Sequence, residues 1–362
     1  MSDKIIQETA SNLLDNVLDK AADISLAGHD IVIWGAGNTT DLNKETIMEE
    51  KLFPCFFADG DSKKWGNRKW DIEIISPDEI KARCANPLVL VSSANAKTCR
   101  EIITKLKEMK FSDYHMIDEI IWGRHKEELM SVYNMLECEE SKELFAHLII
   151  SRITGEDIQE NYVSENQYFF KKEFKFRNAK EIFVDCGAYV GDTVEQYLGI
   201  KEGVFNEIYA FEPDPGNVIA LSKRIERLRN EWNIADSRIH IIEGAVGKEN
   251  STCFINNDIG GLGAKITDTA TGNKTKIYGL DTFLEDVPVG FLKADIEGYE
   301  LDMLLGTAEI IRKHRPLLAV CVYHQSADLY KIPLLLKKLN CDYRLDIAHH
   351  YYNYTETVLY AY

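Results

Sequence analysis

The chain has 362 residues, with 45% hydrophobic and 28% charged side chains and a net charge of -17. Such a composition is that of a folded globular protein long enough for two domains, and its acidic balance excludes the broad cationic surface that binds a nucleic-acid backbone. The eight cysteines include no C-x-x-C pair, which argues against a zinc site or a disulfide framework and for reduced thiols in a cytoplasm.

Residues 1–28 open with "MSDKIIQETASNLLDNVLDK", acidic and amphipathic at helical spacing, and are expected to form a docking helix rather than a signal peptide. No apolar run reaches the roughly 20 residues needed to cross a bilayer. Residues 29–122 alternate strands with helices. "IVIWGAG", "FPCFFADGD" and "PLVLVSSAN" each read as a strand followed by a turn, and "AKTCREIITKLKEMK" as a helix. In "ISPDEI", Ser76 is placed to cap a helix that begins at Pro77. This is a small Rossmann-like α/β domain, but its G-x-G-x-x-G is incomplete because Thr40 stands at the third glycine. Asp59 falls where a ribose-binding acid would sit, which keeps a nucleotide or nucleotide-sugar site open. Acceptor positioning or a homodimer contact is the other reading of this module.

Residues 123–164 read as a helical linker. From residue 165 to 362 a second alternating series begins, with strands expected at 181–186, 207–211, 238–243, 290–295 and 316–323, and closing pieces near 341–347 and 356–361. Five parallel-type strands closed by two more make a doubly wound α/β sheet.

The loop after the first of these strands, in "EIFVDCGAYVGDT", places Asp185, Gly187, Gly191 and Asp192 at the carboxyl ends of the strands, where ligands of such sheets bind. Acids at a helix start repel a diphosphate, so the loop is expected to favour a cation; capping is the alternative role of Asp185 and Asp192. S-adenosylmethionine, with its sulfonium and ammonium groups, meets that demand. Its ribose needs a diol acceptor, and Glu212 in "EIYAFEPDP" supplies a bidentate carboxylate at the next strand end. "IIEGAVG" places Glu243 and Ala245 beside an adenine-sized gap.

The ordered runs "FVDCGAYVGDT", "YAFEPDPGN", "GAVG", "KADIEGYE", "YH" and "TVLYAY" resemble the FkbM family of S-adenosylmethionine-dependent methyltransferases, from about residue 165 to the end. The resemblance implies a class I methyltransferase fold and methyl transfer to an oxygen, often on a sugar, glycan or related metabolite. It also implies cofactor binding by Asp185, Gly187, Gly191 and Glu212. The chain departs from the wider class at Tyr189, which replaces the middle glycine of the loop and is placed to pack on the methionine part.

A hydroxyl acceptor must lose its proton as it is methylated, so a base or a metal is required. Asp295, in "LKADIEGYE", ends the fourth strand and is assigned to the site, for chemistry and cofactor alike; Glu300 and Asp302 read as charges in the first turn of a helix. His324, in "LLAVCVYHQ", stands at the fifth strand end as candidate base or as an orienting group. Asp281 and Asp295 leave a divalent ion open without any metal signature in their spacing. The segment "NNDIGGLGAKI" reads as a hairpin lid or a flexible turn; Gln167 and Tyr168 in "NQYFF" are placed to close the pocket, and His349, His350, Tyr351 and Tyr352 to meet a sugar ring. Two rival functions remain: a nicotinamide- or nucleotide-sugar-dependent enzyme acting through the first module, and a non-catalytic cofactor-binding scaffold.

Overall fold

The computed structural model describes residues 9–256, 265–267, 273–340 and 342–362, and it divides into two compact units. The first runs to Ser164 and adds Tyr323–Tyr330 and Asp346–Thr357; the second comprises Glu165–Val322, Lys331–Leu345 and Val358–Tyr362.

Among these residues the first unit holds β1 (Asp30–Trp34), β2 (Phe56–Ala58), β3 (Arg68–Lys69), β4 (Ile72–Ile75), β5 (Pro87–Val91) and β6 (Tyr114–Met116). Their order is β3-β4-β2-β1-β5-β6, parallel except for β3. Val32, Ile33, Phe57 and Leu88 to Val91 fill the core because a parallel sheet is covered on both faces. Ser76 caps the turn at Pro77 through a full capping box with Glu79. Helix Ala10–Ala22 buries Leu14 and Leu18 and lies against helices Ile117–Arg124 and Glu139–Thr154 of the same unit.

The segment 123–164 differs from the expected linker: its helices Lys126–Met135 and Glu139–Thr154 are part of the first unit's core, through Leu129, Phe145 and Ile149. Two stretches far along the chain also join this unit, so its boundary with the second is not a single cut near 165. Charged and polar groups sew them in. Arg152 is buried against Asp118 (2.7 Å) and stacks over Trp122, whose indole N–H donates to Ser326 O (2.8 Å). Tyr354 donates its hydroxyl to Ser151 O and Glu156 O, and Asp346 accepts from Cys138 N–H.

In the second unit the strands are β7 (Ile182–Cys186), β8 (Glu207–Glu212), β9 (Ile239–Glu243), β10 (Ala245–Gly247), β11 (Ser251–Asn256), β12 (Lys265–Thr267), β13 (Asn273–Gly279), β14 (Phe291–Ala294) and β15 (Leu317–Cys321); β16 (Leu345–His349) and β17 (Thr357–Ala361) follow, with Asp346–His349 and Thr357 grouped with the first unit. The main sheet has the order β16-β17-β15-β14-β7-β8-β9; β7, β8, β9, β14 and β15 run parallel, and β17 is antiparallel to β15. The penultimate strand begins at Leu345, within the stretch expected near 341–347, and runs past it to His349. A smaller sheet has the order β10-β13-β11-β12. The expected hairpin lid "NNDIGGLGAKI" lies largely outside the described residues.

A buried stack of Phe183, Tyr197 and Phe291 fills the space beside β7. Next to it Lys201, with no exposed surface, is matched by Glu181 (2.7 Å) and Phe176 O (2.7 Å), while Tyr197 donates to Glu181. A buried ammonium persists only when so surrounded.

Candidate active site

The site grows from the turn between β7 and the helix Asp192–Lys201. Gly187 has φ +86°, and a Cβ there would stand 2.0 Å from the Asp295 carbonyl oxygen. Only glycine lets the chain turn so close to the end of β14. Gly187 and Ala188 donate their N–H groups to Phe211 O at 3.1 and 2.9 Å, and Asp295 N–H donates to Cys186 O, so the loop is fixed from both flanking strands. Gly191, φ +84°, delivers the chain into the helix. Tyr189 occupies its position with φ +47° and leaves its ring 39% exposed, a bulky side chain at the mouth of the loop.

Glu212 ends β8 with only 4% exposure. Its Oε2 accepts from Tyr189 N–H (2.8 Å), and its Oε1 accepts from Asp214 N–H (3.0 Å) and Asn217 Nδ2 (3.2 Å). Burial pushes this carboxyl up, opposed by those hydrogen bonds. Four acceptor positions less three donors leave room for a ligand hydroxyl. Glu212 therefore braces the glycine loop and keeps an acceptor position beside it.

Asp185 departs from the expected picture. It is wholly buried, and its Oδ1 lies 3.1 Å from Lys293 Nζ on the neighbouring strand, with Asp185 and Lys293 in register. Burial pushes the Asp185 carboxyl up against the pull of Lys293; burial also draws Lys293 down, but the Asp185 and Asp295 charges outweigh it and hold the ammonium above its ordinary range. The negative charge assigned to the loop rim is thus neutralised inside the sheet, and Asp185 does not offer it to a ligand. Its work is to hold Lys293, which donates to Gly187 O (2.8 Å) and lies over the Tyr168 ring at 5.0 Å. Lys293 was missed in the sequence, although a lysine inside the apolar strand "FLKA" is itself a signal, since such a charge demands a partner.

Asp295 is half-buried, and its Oδ2 accepts from the Tyr168 hydroxyl (2.7 Å), to which Gln167 Nε2 also donates (3.1 Å). Tyr168 sits at φ +66° with its N–H on the Tyr360 hydroxyl (3.2 Å). Asp192 is exposed at the helix start, and Glu243 is exposed opposite Glu212 in register, while Ala245 is buried in β10. Glu300 caps the turn before its own helix by accepting from Ile296 N–H (2.8 Å).

Asp281, His349 and His350, also expected at the site, make hydrogen bonds that hold a helix start and a turn. Asp281 accepts from Glu309 N–H and Ile310 N–H (3.0 and 2.9 Å) at the start of helix Ala308–His314. His324 lies beyond the end of β15, in the stretch grouped with the first unit, with its ring against Tyr323 at 4.1 Å. His349 is fully buried between Thr357 Oγ1 and Asn353 O (both 2.8 Å), and His350 bonds Ser164 O (2.7 Å); they hold the turn, and only Tyr351 and Tyr352 are exposed.

The sheet order, the reversed last strand and the glycine loop braced by an acid at the next strand end define a class I methyltransferase fold. Residues 185–345 match the Methyltransferase FkbM domain, so that stretch carries an S-adenosylmethionine-dependent methyltransferase domain. Among solved structures, an FkbM methyltransferase from Methylobacillus flagellatus KT is similar over 97% of this chain and 93% of its own, at 20% identity and a TM-score of 0.57. A SAM-dependent methyltransferase from Aquifex aeolicus (15% identity, 52% of this chain, 85% of its own, TM-score 0.31) and Aeropyrum pernix fibrillarin with natively bound S-adenosylmethionine (14%, 51%, 68%, 0.30) match too distantly to bear on function. No curated protein matches the sequence.

The residues present fit the cofactor: the space kept by Gly187 admits close backbone approach, and Glu212 keeps an acceptor position beside it.

Proposed function

We propose that the chain transfers a methyl group from S-adenosylmethionine to a hydroxyl oxygen of a small acceptor, a sugar, glycan or related metabolite, in the cytoplasm. The observation that carries the reading is the braced loop, Gly187 with Glu212, inside a matched methyltransferase domain. When bound, the cofactor supplies a methyl on a sulfonium, which keeps the bonding pair of the broken S–C bond as S-adenosylhomocysteine is left behind. Glu212 accepts one ribose hydroxyl at its remaining acceptor position, and Gly187 allows the backbone to approach. Asp295, held by Tyr168, takes the acceptor's proton as the new O–C bond forms.

The test is release of S-adenosylhomocysteine on a panel of sugars, nucleotide sugars, phenols and carboxylic acids. Turnover on at least one hydroxyl-bearing compound is expected, with Asp295→Asn lowering kcat by about 10²-fold or more while the dissociation constant of S-adenosylhomocysteine stays within a few-fold. Turnover on carboxylic acids alone, or full activity of Asp295→Asn, would overturn the reading.

A further inference from the structure

The first unit repeats, with its own residues, the construction that makes the cofactor site of the second. β1 ends in Gly35, φ +129°, where a Cβ would stand 2.1 Å from Ser92 O at the end of β5; at Gly187 the corresponding distance is 2.0 Å, from Asp295 O. In each unit the acid that ends the next strand accepts an N–H from the loop: Asp59 Oδ2 from Ala36 (2.9 Å), as Glu212 Oε2 does from Tyr189 (2.8 Å). Thr40, at the position of the missing glycine, is buried; its hydroxyl donates to Gly35 O and accepts from the Ser92 hydroxyl (2.9 Å), binding the loop across the sheet instead of opening it. The incomplete motif is therefore a rigid loop, not a lost one.

At these strand ends, where the chain turns from one side of β1 to the other, lies a cavity of about 390 Å³. Ligands of open α/β sheets bind at this position. Its lining supplies two kinds of group. Asp59 accepts from Ala36 N–H, Lys64 Nζ (2.8 Å) and Asp61 N–H (2.9 Å), which leaves Oδ1 one further acceptor position, and Glu101 adds a second carboxylate. Lys64 and Lys105 bring ammonium groups, and Trp34, under the Lys105 ammonium at 5.8 Å from the ring centroid, forms a flat apolar wall. Carboxylates take hydroxyl hydrogens, ammoniums take a phosphate, and an indole takes the carbon face of a ring.

We infer that this cavity is a second ligand site, separate from the methyl-donor site, for a phosphorylated sugar, either free or as part of a nucleotide. The site goes beyond the methyltransferase reading and stands without it.

Calorimetric titration of the full chain with glucose 1-phosphate, AMP, UDP-glucose and orthophosphate tests it. Saturable binding of at least one of the first three is expected, tighter than orthophosphate and weakened at least about tenfold by Lys105→Glu, the loss of a charge-assisted contact. Which of the three bind separates a free sugar phosphate from a nucleotide. S-adenosylhomocysteine, titrated into the same variant, is expected to bind as in the parent chain, which shows that the variant is folded. The inference falls if none of the three binds, if orthophosphate binds as tightly, if Lys105→Glu leaves binding unchanged, or if the ligand competes with S-adenosylhomocysteine.

Discussion

Glu212 and Lys293 brace the same loop by opposite means. Glu212 accepts three protein donors and keeps one position for a ligand. Glu212→Ala removes the ribose acceptor and loosens the turn at Tyr189, so the affinity for S-adenosylhomocysteine should fall at least about tenfold, in line with roughly 1.5–3 kcal/mol for a hydrogen bond to a charged group. Calorimetry checks this, and unchanged affinity would remove Glu212 from the site. Lys293 acts from beneath, and Lys293→Ala would leave Asp185 as a buried charge without its counterion. Such a loss is worth about 3–5 kcal/mol, read as a lower denaturant midpoint. Pairing Lys293→Met with Asp185→Asn should recover much of it, because the charges then vanish together; a double variant no more stable than Lys293→Ala would refute the pairing. The position of Glu212 was legible as the acid that closes the next apolar strand after the glycine loop, and the structure sets it against that loop. The role of Asp185 was hidden, because the residue that neutralises it stands more than a hundred positions away and meets it only through strand register.

At the scale of elements, the strands were legible from their apolar runs, and so was the capping of the turn at Pro77. The stretch from 346 to 357 was not, since its polar and aromatic residues look alike whether they face solvent or fill a core. The structure buries His349 at the end of β16 and holds it neutral: burial draws its pKa down to about 4. The geometry fits the neutral ring, with Nε2–H donating to Asn353 O and Nδ1 accepting from Thr357. An unfolded histidine titrates near 6.5. Between the two values the unfolded chain binds the extra proton, so stability is present above about pH 6.5 and is lost progressively as the pH falls towards 4, by up to about 3 kcal/mol. His350, also drawn down by burial, adds to the slope. Melting temperatures from pH 7 to 4 should therefore fall more steeply for the parent chain than for His349→Gln. Equal slopes would show that another group controls the acid limb.

Across the whole molecule, the two units are not two successive lengths of chain. The family match begins at residue 185 and ends at 345, and it passes straight through Tyr323–Tyr330, which belongs to the first unit. The sequence could not reveal this, because alternation of strand and helix marks sheets and not the unit a later loop will join. The arrangement has a consequence for a fragment of residues 165–362, the length that the resemblance alone would select. It would carry Tyr323–Tyr330 and Asp346–Thr357 without their unit: Ser326 would lose Asp118, Trp122 and the Asn43 side-chain Oδ1 that accepts its N–H at 2.7 Å, Tyr354 would lose Ser151 and Glu156, and Asp346 would lose Cys138. Buried side chains such as Ala327, Tyr330, Ile347 and Tyr354 would be left without the first unit's core around them. An uncovered apolar surface of that kind favours a loosely packed or aggregating state. The fragment is therefore expected to bind a hydrophobic dye, to melt without a sharp transition and to bind S-adenosylhomocysteine at least about tenfold more weakly than the full chain, as a partly populated competent state requires. If the fragment melts cooperatively at the temperature of the full chain and binds with equal affinity, the two later stretches do not need the first unit's core around them.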